Sequence, residues 1–202
     1  MAFDKLPPRE TIEHTISALK QKGINAVFAE RGEDAKAAVL SIIPEGAKIM
    51  NMTSMTLSAL GLDTEINDSG RYQSVRNKLN SMDRETQGEE MQMLGAAPSW
   101  VIGSVHAVTE AGTLMIASRT ESQLPAYAYG AAHVIWVIGA QKIVSDLDQG
   151  FNRIYQHSYP LEAERALKAY GTVSGVNKIL IVNEEITPDR ITVILVNEVL
   201  GF

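Results

Sequence analysis

The fold class is decided by residues 24–52, which read INAVFAERGEDAKAAVLSIIPEGAKIMNM. Residues 24–29 form a short apolar run rich in branched side chains, which predicts a buried strand. Residues 33–43 place alanine, leucine and isoleucine on one side of a helix that ends at Pro44-Glu45-Gly46, and residues 48–52 predict a second strand. Strands joined by a helix at this short spacing indicate a parallel sheet with crossover helices, and hence an α/β fold.

The same alternation continues on both sides of this stretch, so residues 1–202 are expected to form a single α/β domain. Residues 8–22 predict an N-terminal helix that extends it, and residues 63–97 predict an amphipathic helical excursion. Pro188-Asp189 is expected to turn a hairpin or near-hairpin between the last two strands. The remaining elements are central strands at 101–102, 114–117 and 134–138, helices at 146–156 and 161–170, and the two last strands at 179–182 and 191–196.

Composition excludes several functional classes. The chain is 45% hydrophobic and 21% charged, which is globular rather than disordered. Its 18 basic and 24 acidic side chains give a net charge of −6, so nucleic acid is not an expected partner. With no cysteine, and with no two of its four histidines three or four residues apart, the chain is expected to hold neither a metal ion nor an iron–sulfur cluster.

Motifs and apolar runs narrow the function further. The sequence contains no Walker A loop, no dinucleotide-binding glycine pattern, no nucleophile elbow and no zincin motif. The N-terminus has no apolar signal core, and the longest apolar run, residues 134–140, is far shorter than the roughly 20 residues of a membrane span. We therefore expect a cytoplasmic protein without a membrane partner.

Two polar segments follow predicted strands and are candidate sites. The first is Thr53-Ser54-Met55-Thr56, where backbone amides and the hydroxyls of Thr53, Ser54 and Thr56 would receive an anion at a strand end. The alternative is ordinary N-capping of a helix by serine or threonine. Lys142, just past the strand at 134–138, is a further candidate for anion binding.

The second polar segment, residues 103–113, lies between two apolar runs where a plain core would need no polar groups. Glu110 is the candidate catalytic residue, as base, nucleophile or substrate anchor. The alternatives are a tight turn in which Glu110 caps or pairs with an arginine, and a purely structural, hydrogen-bonded His106. The candidate ligand-binding residues of this segment are Gly103, His106, Gly112 and Thr113.

Within the second segment, Thr109-Glu110-Ala111-Gly112-Thr113-Leu114 resembles a stretch found in the lactate-utilisation (LUD) domain family. The resemblance extends over nearly the whole chain, through residues 43–47, 53–57, 60–62, 134–144 and 190–202. The chain departs from many relatives in one place, because residues 170–178 contain none of the cysteines that those relatives carry before their last strands.

The resemblance implies a three-layer sandwich around a mainly parallel sheet, related to the glucosamine-phosphate deaminase, ribose-phosphate isomerase and CoA-transferase superfamily. It also implies a link to lactate oxidation beside iron–sulfur proteins. The positions that match the superfamily's ligand site are Ser54, Thr56, Glu110, Gly112 and Thr113. Fold-level kinship does not transfer an activity.

Three hypotheses follow. The first is a LUD-type protein of lactate or related organic-acid utilisation that binds a small anionic metabolite at strand ends. The second is an acyl or CoA transferase, or a sugar-phosphate isomerase, with Glu110 as nucleophile or base. The third is a non-catalytic subunit of an iron–sulfur oxidoreductase complex. A homodimer is a further expectation, drawn from superfamily habit.

Overall fold

The computed structural model describes residues 3–120 and 122–202. Eight α-helices and ten β-strands lie in these residues. The helices are α1 Arg9–Gln21, α2 Gly32–Ile42, α3 Met55–Ala59, α4 Leu62–Asp68, α5 Val75–Asn80, α6 Arg84–Ala96, α7 Leu147–Arg153 and α8 Tyr159–Tyr170. The strands are β1 Asn25–Ala29, β2 Lys48–Asn51, β3 Gln73–Ser74, β4 Trp100–Gly103, β5 Ala107–Thr109, β6 Leu114–Ser118, β7 His133–Gly139, β8 Ile143–Val144, β9 Lys178–Val182 and β10 Ile191–Val196.

The central sheet has six strands in the order β1-β10-β7-β4-β2-β3, and every neighbouring pair is parallel. The first strand of the chain pairs with the last, with Asn25 opposite Thr192. Helices flank this sheet, which confirms the α/β class and the parallel sheet that residues 24–52 predicted. All its carboxyl strand ends therefore meet at one edge.

A second sheet, in the order β8-β5-β6-β9, was not expected from the sequence. The strand predicted at 114–117 lies here as β6, paired antiparallel with β5 and β9. The predicted hairpin at Pro188-Asp189 is wrong, because β9 pairs with β6 while β10 enters the central sheet between β1 and β7. The turn itself is present, with Asp189 in a left-handed conformation at φ 59°.

The core explains why the central strands are apolar on both faces. Along β7, Val134, Trp136 and Ile138 are buried against α1 and the second sheet. The alternate residues Ile135 and Val137 are buried against α2, α3 and α4. Since each fully buried aliphatic side chain contributes about 1.5–3 kcal/mol, this two-sided burial fixes β7 at the centre of the molecule.

The helical excursion predicted at 63–97 contains α4, α5 and α6, with the two-residue strand β3 between α4 and α5. Its helix α6 contacts the π-helical segment Ala126–Gly130, where Gly130 approaches the backbone of Ala96. Among the helices of the described residues, none combines the length and the apolar character that crossing a membrane requires. Residues of the excursion line one side of a cavity at the edge of the central sheet.

Candidate functional site

The cavity lies where neighbouring strands of the central sheet send the chain in opposite directions. From β2 the chain continues to β3 on one side, whereas from β4 it returns to the sheet at β7 on the other side. Such a switch point leaves a crevice at the carboxyl ends of the strands, and ligands of open α/β sheets bind there. Here the crevice opens into a cavity of about 1270 Å³.

Lys142 reaches this cavity from the end of β7. Its side chain is 2% exposed, and Nζ donates to Thr56 Oγ1 at 3.1 Å, to Ser104 Oγ at 3.2 Å and to the Val105 carbonyl at 3.2 Å. Burial lowers the pKa of the Lys142 ammonium well below its usual range, and the neighbouring Arg153 lowers it further. The sequence-predicted Lys142 and Thr56 are thus in direct contact.

Arg153 is a second buried cation beneath the same cavity. Its side chain is 0% exposed, and Nη1 donates to the carbonyl of His106 and to Ser158 Oγ, both residues that line the cavity. The Nε and Nη2 atoms of Arg153 are buried without a hydrogen-bond partner. Burial lowers the pKa of the guanidinium to about 10, so the group remains charged at neutral pH.

His106 is close enough to both cations to feel their charge, and it is held in one tautomer. The backbone N–H of Ala117 donates to His106 Nδ1 at 3.1 Å, so a neutral imidazole carries its proton on Nε2. Burial, followed by Lys142 and Arg153, lowers the pKa of His106 to about 3. His106 therefore lines the cavity as a neutral hydrogen-bond donor.

The cavity is positive although the whole chain is acidic. Its described lining contains five basic side chains, Arg76, Arg84, Arg119, Lys142 and Arg165, against a single carboxylate, Glu162. Glu162 already binds Arg165, with atoms 2.7 and 2.8 Å apart. Within residues 3–120 and 122–202, no carboxylate lies within ion-pair distance of Lys142 or Arg153. A chain of net charge −6 thus concentrates unpaired cations at one sheet edge.

The first polar segment of the sequence lines this cavity. Thr53, Ser54 and Thr56 all belong to its wall, at the end of β2. Ser54 Oγ accepts from the N–H of Leu57 at 3.4 Å, so Ser54 also caps α3. The Thr56 hydroxyl donates to the Leu200 carbonyl at 3.1 Å, which joins the end of β2 to the segment after β10.

The second polar segment divides between two places. His106 lines the cavity, but Gly103, Glu110, Gly112 and Thr113 do not. Gly103 leaves room for Tyr127, whose hydroxyl would lie 1.8 Å from a Cβ at that position. A role for Glu110 as base or nucleophile stays a prediction, because the structure does not bring it beside Ser54 and Thr56.

Residues 109–113 form a closed turn against α1. The Thr109 N–H donates to the Thr113 carbonyl at 2.9 Å, and the Thr113 N–H donates to Thr109 Oγ1 at 3.0 Å. Gly112 adopts φ 82°, and a Cβ there would lie 3.0 Å from the backbone of Ala18 and Leu19. The Thr109 and Thr113 N–H groups are thus satisfied within the turn, and Gly112 packs directly against α1.

Sequence reasoning missed Arg153, Arg76 and Ser104. Arg153 ends α7 in an ordinary helical pattern, and no local signal distinguishes it from a surface arginine. Arg76 belongs to the polar excursion, yet its Nε and Nη2 donate to the Asn51 carbonyl at 2.9 and 2.6 Å. Ser104 was visible as a polar residue directly after a predicted strand, the same signal that selected Ser54.

Metal binding has no candidate residues in the described part of the chain. No group of three histidine, aspartate or glutamate side chains lies close enough there to hold an ion. The site's polar groups are instead hydroxyls, amide N–H groups and cations, which are the partners of an anion.

Comparison with known proteins gives the following. The family model described as LUD domain matches residues 12–196. A solved DUF162 family protein from Deinococcus radiodurans is similar in fold, with a TM-score of 0.59 and 11% identity over 96% of this chain and 100% of that chain. The beta subunit of eIF2B from Chaetomium thermophilum, at 15% identity, covers 67% of this chain and 43% of its own, but its TM-score of 0.29 supports no argument. No curated protein matches the sequence.

Proposed function

The chain belongs to the LUD domain family, and from this premise we propose that it binds a small organic-acid anion in the cavity at the ends of β2, β4 and β7. The lactate or related organic-acid utilisation that the family resemblance implies is the proposed setting. Cytoplasmic location, and partnership with iron–sulfur oxidoreductase subunits, stay predictions.

One observation carries the proposal, namely the two buried cations without a carboxylate partner. Lys142 and Arg153 are 2% and 0% exposed, burial lowers the pKa of both groups, and Arg153 lowers the pKa of Lys142 further. Burying an unpaired charge costs several kcal/mol. An anion that enters the cavity would supply the missing negative charge, so its binding recovers part of that cost.

The neighbouring groups suit a carboxylate or a related oxyanion. His106 offers a neutral Nε2–H donor, and the hydroxyls of Ser54 and Ser104 line the same cavity. Hydrogen bonds to a charged acceptor are about twice as strong as neutral ones, which favours an anion over an alcohol or an amide here.

The experiment is a calorimetric titration of the purified chain with pyruvate, lactate, glyoxylate, inorganic phosphate and CoA, in separate runs. An anion that binds at this site should lose at least about thirtyfold in affinity in Lys142→Met, since truncating one partner of a buried charge pair costs about 2–5 kcal/mol. Lys20→Met, which removes an exposed lysine of α1, is the matched control and should bind normally. Equal binding in Lys142→Met and native protein would overturn the proposal.

A second candidate is an enzyme acting on a larger phosphorylated or CoA-linked substrate. The cavity volume favours it, because about 1270 Å³ exceeds the roughly 300–1,000 Å³ of ordinary small-ligand pockets. Arg76, Arg84 and Arg119 lie along the wall as further partners for phosphate. In the same titrations, binding of CoA that weakens in Arg119→Met would favour this candidate.

A further inference from the structure

We propose that Lys142 is a nucleophile, whose Nζ forms an imine with the carbonyl carbon of a small oxo acid bound in the cavity. The proposal rests on the proposed function, because it names the substrate class of the same site. It adds a covalent step to what would otherwise be reversible binding of an anion.

The hydrogen bonds around Nζ accommodate both the charged and the neutral amine. The Thr56 hydroxyl donates its hydrogen to the Leu200 carbonyl, and the Val105 carbonyl has no hydrogen to donate. Both oxygens therefore accept hydrogen bonds from Lys142. The hydroxyl of Ser104 has only a distant further contact, 3.5 Å from the Val105 carbonyl. Ser104 can therefore accept from an ammonium or turn and donate to the lone pair of an amine.

The surroundings of Nζ make the neutral, nucleophilic amine accessible from the ammonium that attracts the anion. The side chain is 2% exposed, no carboxylate of the described residues lies within ion-pair distance, and the positive charge of Arg153 acts on it. A lysine that is desolvated, or placed beside another cation, is activated as a nucleophile in this way. A lysine that only held structure would gain from a carboxylate partner, which this site lacks.

The remaining groups fit the rest of an oxo acid. Arg153 lies beneath the cavity and provides positive potential for the acid group, while the neutral His106 can donate from Nε2 to an oxygen of the substrate. Ser104, at 3.2 Å from Nζ, is positioned to relay a proton between the amine and the carbonyl oxygen.

The step balances without a co-reactant. The Nζ lone pair forms a bond to the carbonyl carbon, and the electron pair of the C=O bond moves to oxygen, which takes a proton through Ser104. The C–O bond then breaks, the nitrogen lone pair forms the C=N bond, and the second amine hydrogen leaves with the oxygen as water. Nothing is oxidised or reduced, and the amine and the carbonyl compound become an imine and water.

The test is trapping of the imine in the intact chain. Native protein is incubated with pyruvate, and in a second series with glyoxylate, in the presence of sodium borohydride, and is then measured by intact mass and peptide mapping. With pyruvate, we expect an adduct heavier by one pyruvic acid less one oxygen atom, located on Lys142. Ser104→Ala should form it about a hundredfold more slowly, as loss of a positioned proton relay would cause.

Three controls separate the outcomes. Lys142→Arg keeps the charge and should bind pyruvate without forming an adduct, Lys142→Met should do neither, and Lys20→Met should behave as the native chain does. Circular dichroism checks that each variant folds. Calorimetric binding of pyruvate to native protein without an adduct on Lys142 overturns the imine and leaves anion binding intact.

The other negative outcomes are equally decisive. An adduct spread over exposed lysines, at the level found in urea-unfolded protein, overturns the imine. If neither pyruvate nor glyoxylate binds or forms an adduct, both the imine and the proposal that the cavity binds an oxo acid are overturned.

Discussion

The cavity around Lys142 and the turn at residues 109–113 have the same kind of sequence, polar residues placed between apolar strands, but opposite structures. In the turn, Thr109 and Thr113 satisfy one another and the backbone is closed against α1. In the cavity, Arg153 keeps two nitrogen atoms without partners, and Lys142 has hydroxyls in place of a carboxylate. Polar residues indicate a binding site where some of their hydrogen-bond donors or acceptors have no partner. Only a structure shows which of them lack partners.

The largest expected effect comes from Gly112→Ala, which acts on the turn alone. At φ 82° an alanine is strained, and its Cβ would lie 3.0 Å from backbone atoms of Ala18 and Leu19. We expect a loss of about 3 kcal/mol in the free energy of unfolding, measured by urea denaturation. Anion affinity of the folded protein should not change.

Gly70→Ala is the matched control for that substitution. Gly70 has φ 75°, but a Cβ there would meet nothing within 4 Å. Gly70→Ala should therefore lower the free energy of unfolding by about 1 kcal/mol, from backbone strain alone. Equal losses in the two variants would show that the packing of the turn against α1 contributes nothing.

A smaller effect, on the cavity side, comes from protonation of His106. Its pKa is about 3 in the folded protein and about 6.5 when unfolded, so the unfolded chain binds more protons between these values. The free energy of unfolding should therefore fall as the pH drops below about 6.5, by at most about 1.4 kcal/mol per pH unit from this residue.

The test is urea unfolding of native protein and of His106→Asn between about pH 7 and about pH 5. Asparagine keeps an acceptor for the Ala117 N–H but does not titrate, so its slope should be shallower. His157, whose pKa is also lowered by burial, is present in both proteins and cancels. Identical slopes would mean that folding does not lower the pKa of His106.

The smallest effect is expected for Glu110→Gln. The Glu110 N–H donates to the Val144 carbonyl at 2.8 Å, which the substitution retains, and the side chain does not line the cavity. Stability should change by less than about 0.5 kcal/mol, and calorimetric anion affinity should stay the same. A large loss of affinity would instead support the catalytic role that the sequence suggested for Glu110.

The sequence predicted the central sheet well because its signals are local. Residues 134–138 are apolar on both faces, residues 24–29 and 48–52 are mainly apolar, and a parallel sheet covered by helices buries most of these apolar side chains. The second sheet was not predicted because the residues of a strand do not show which other strand it pairs with. Residues 179–182 and 191–196 look alike as strands, yet they belong to different sheets.

The site was predictable only in part, for a related reason. Position after a strand selected Ser54, Thr56 and Lys142, and the parallel sheet brings Thr56 and Lys142 into contact. Arg153 could not be found in this way, since it ends a helix and reaches the cavity through the fold. Arg153 is identified as a site residue by its two nitrogen atoms without hydrogen-bond partners, and no sequence pattern shows such a feature.

The pairing of Asn25 with Thr192 also sets the order in which the molecule can be completed during synthesis. A nascent chain must wait for β10 before β1 has any neighbour in the sheet, and closing so long a loop makes folding slow. The same delay applies to Thr56, whose hydroxyl needs the Leu200 carbonyl before it is fixed beside Lys142. We therefore expect that only chains that include β10 and Leu200 bind the proposed anion, and that chains truncated before β10 do not bind it.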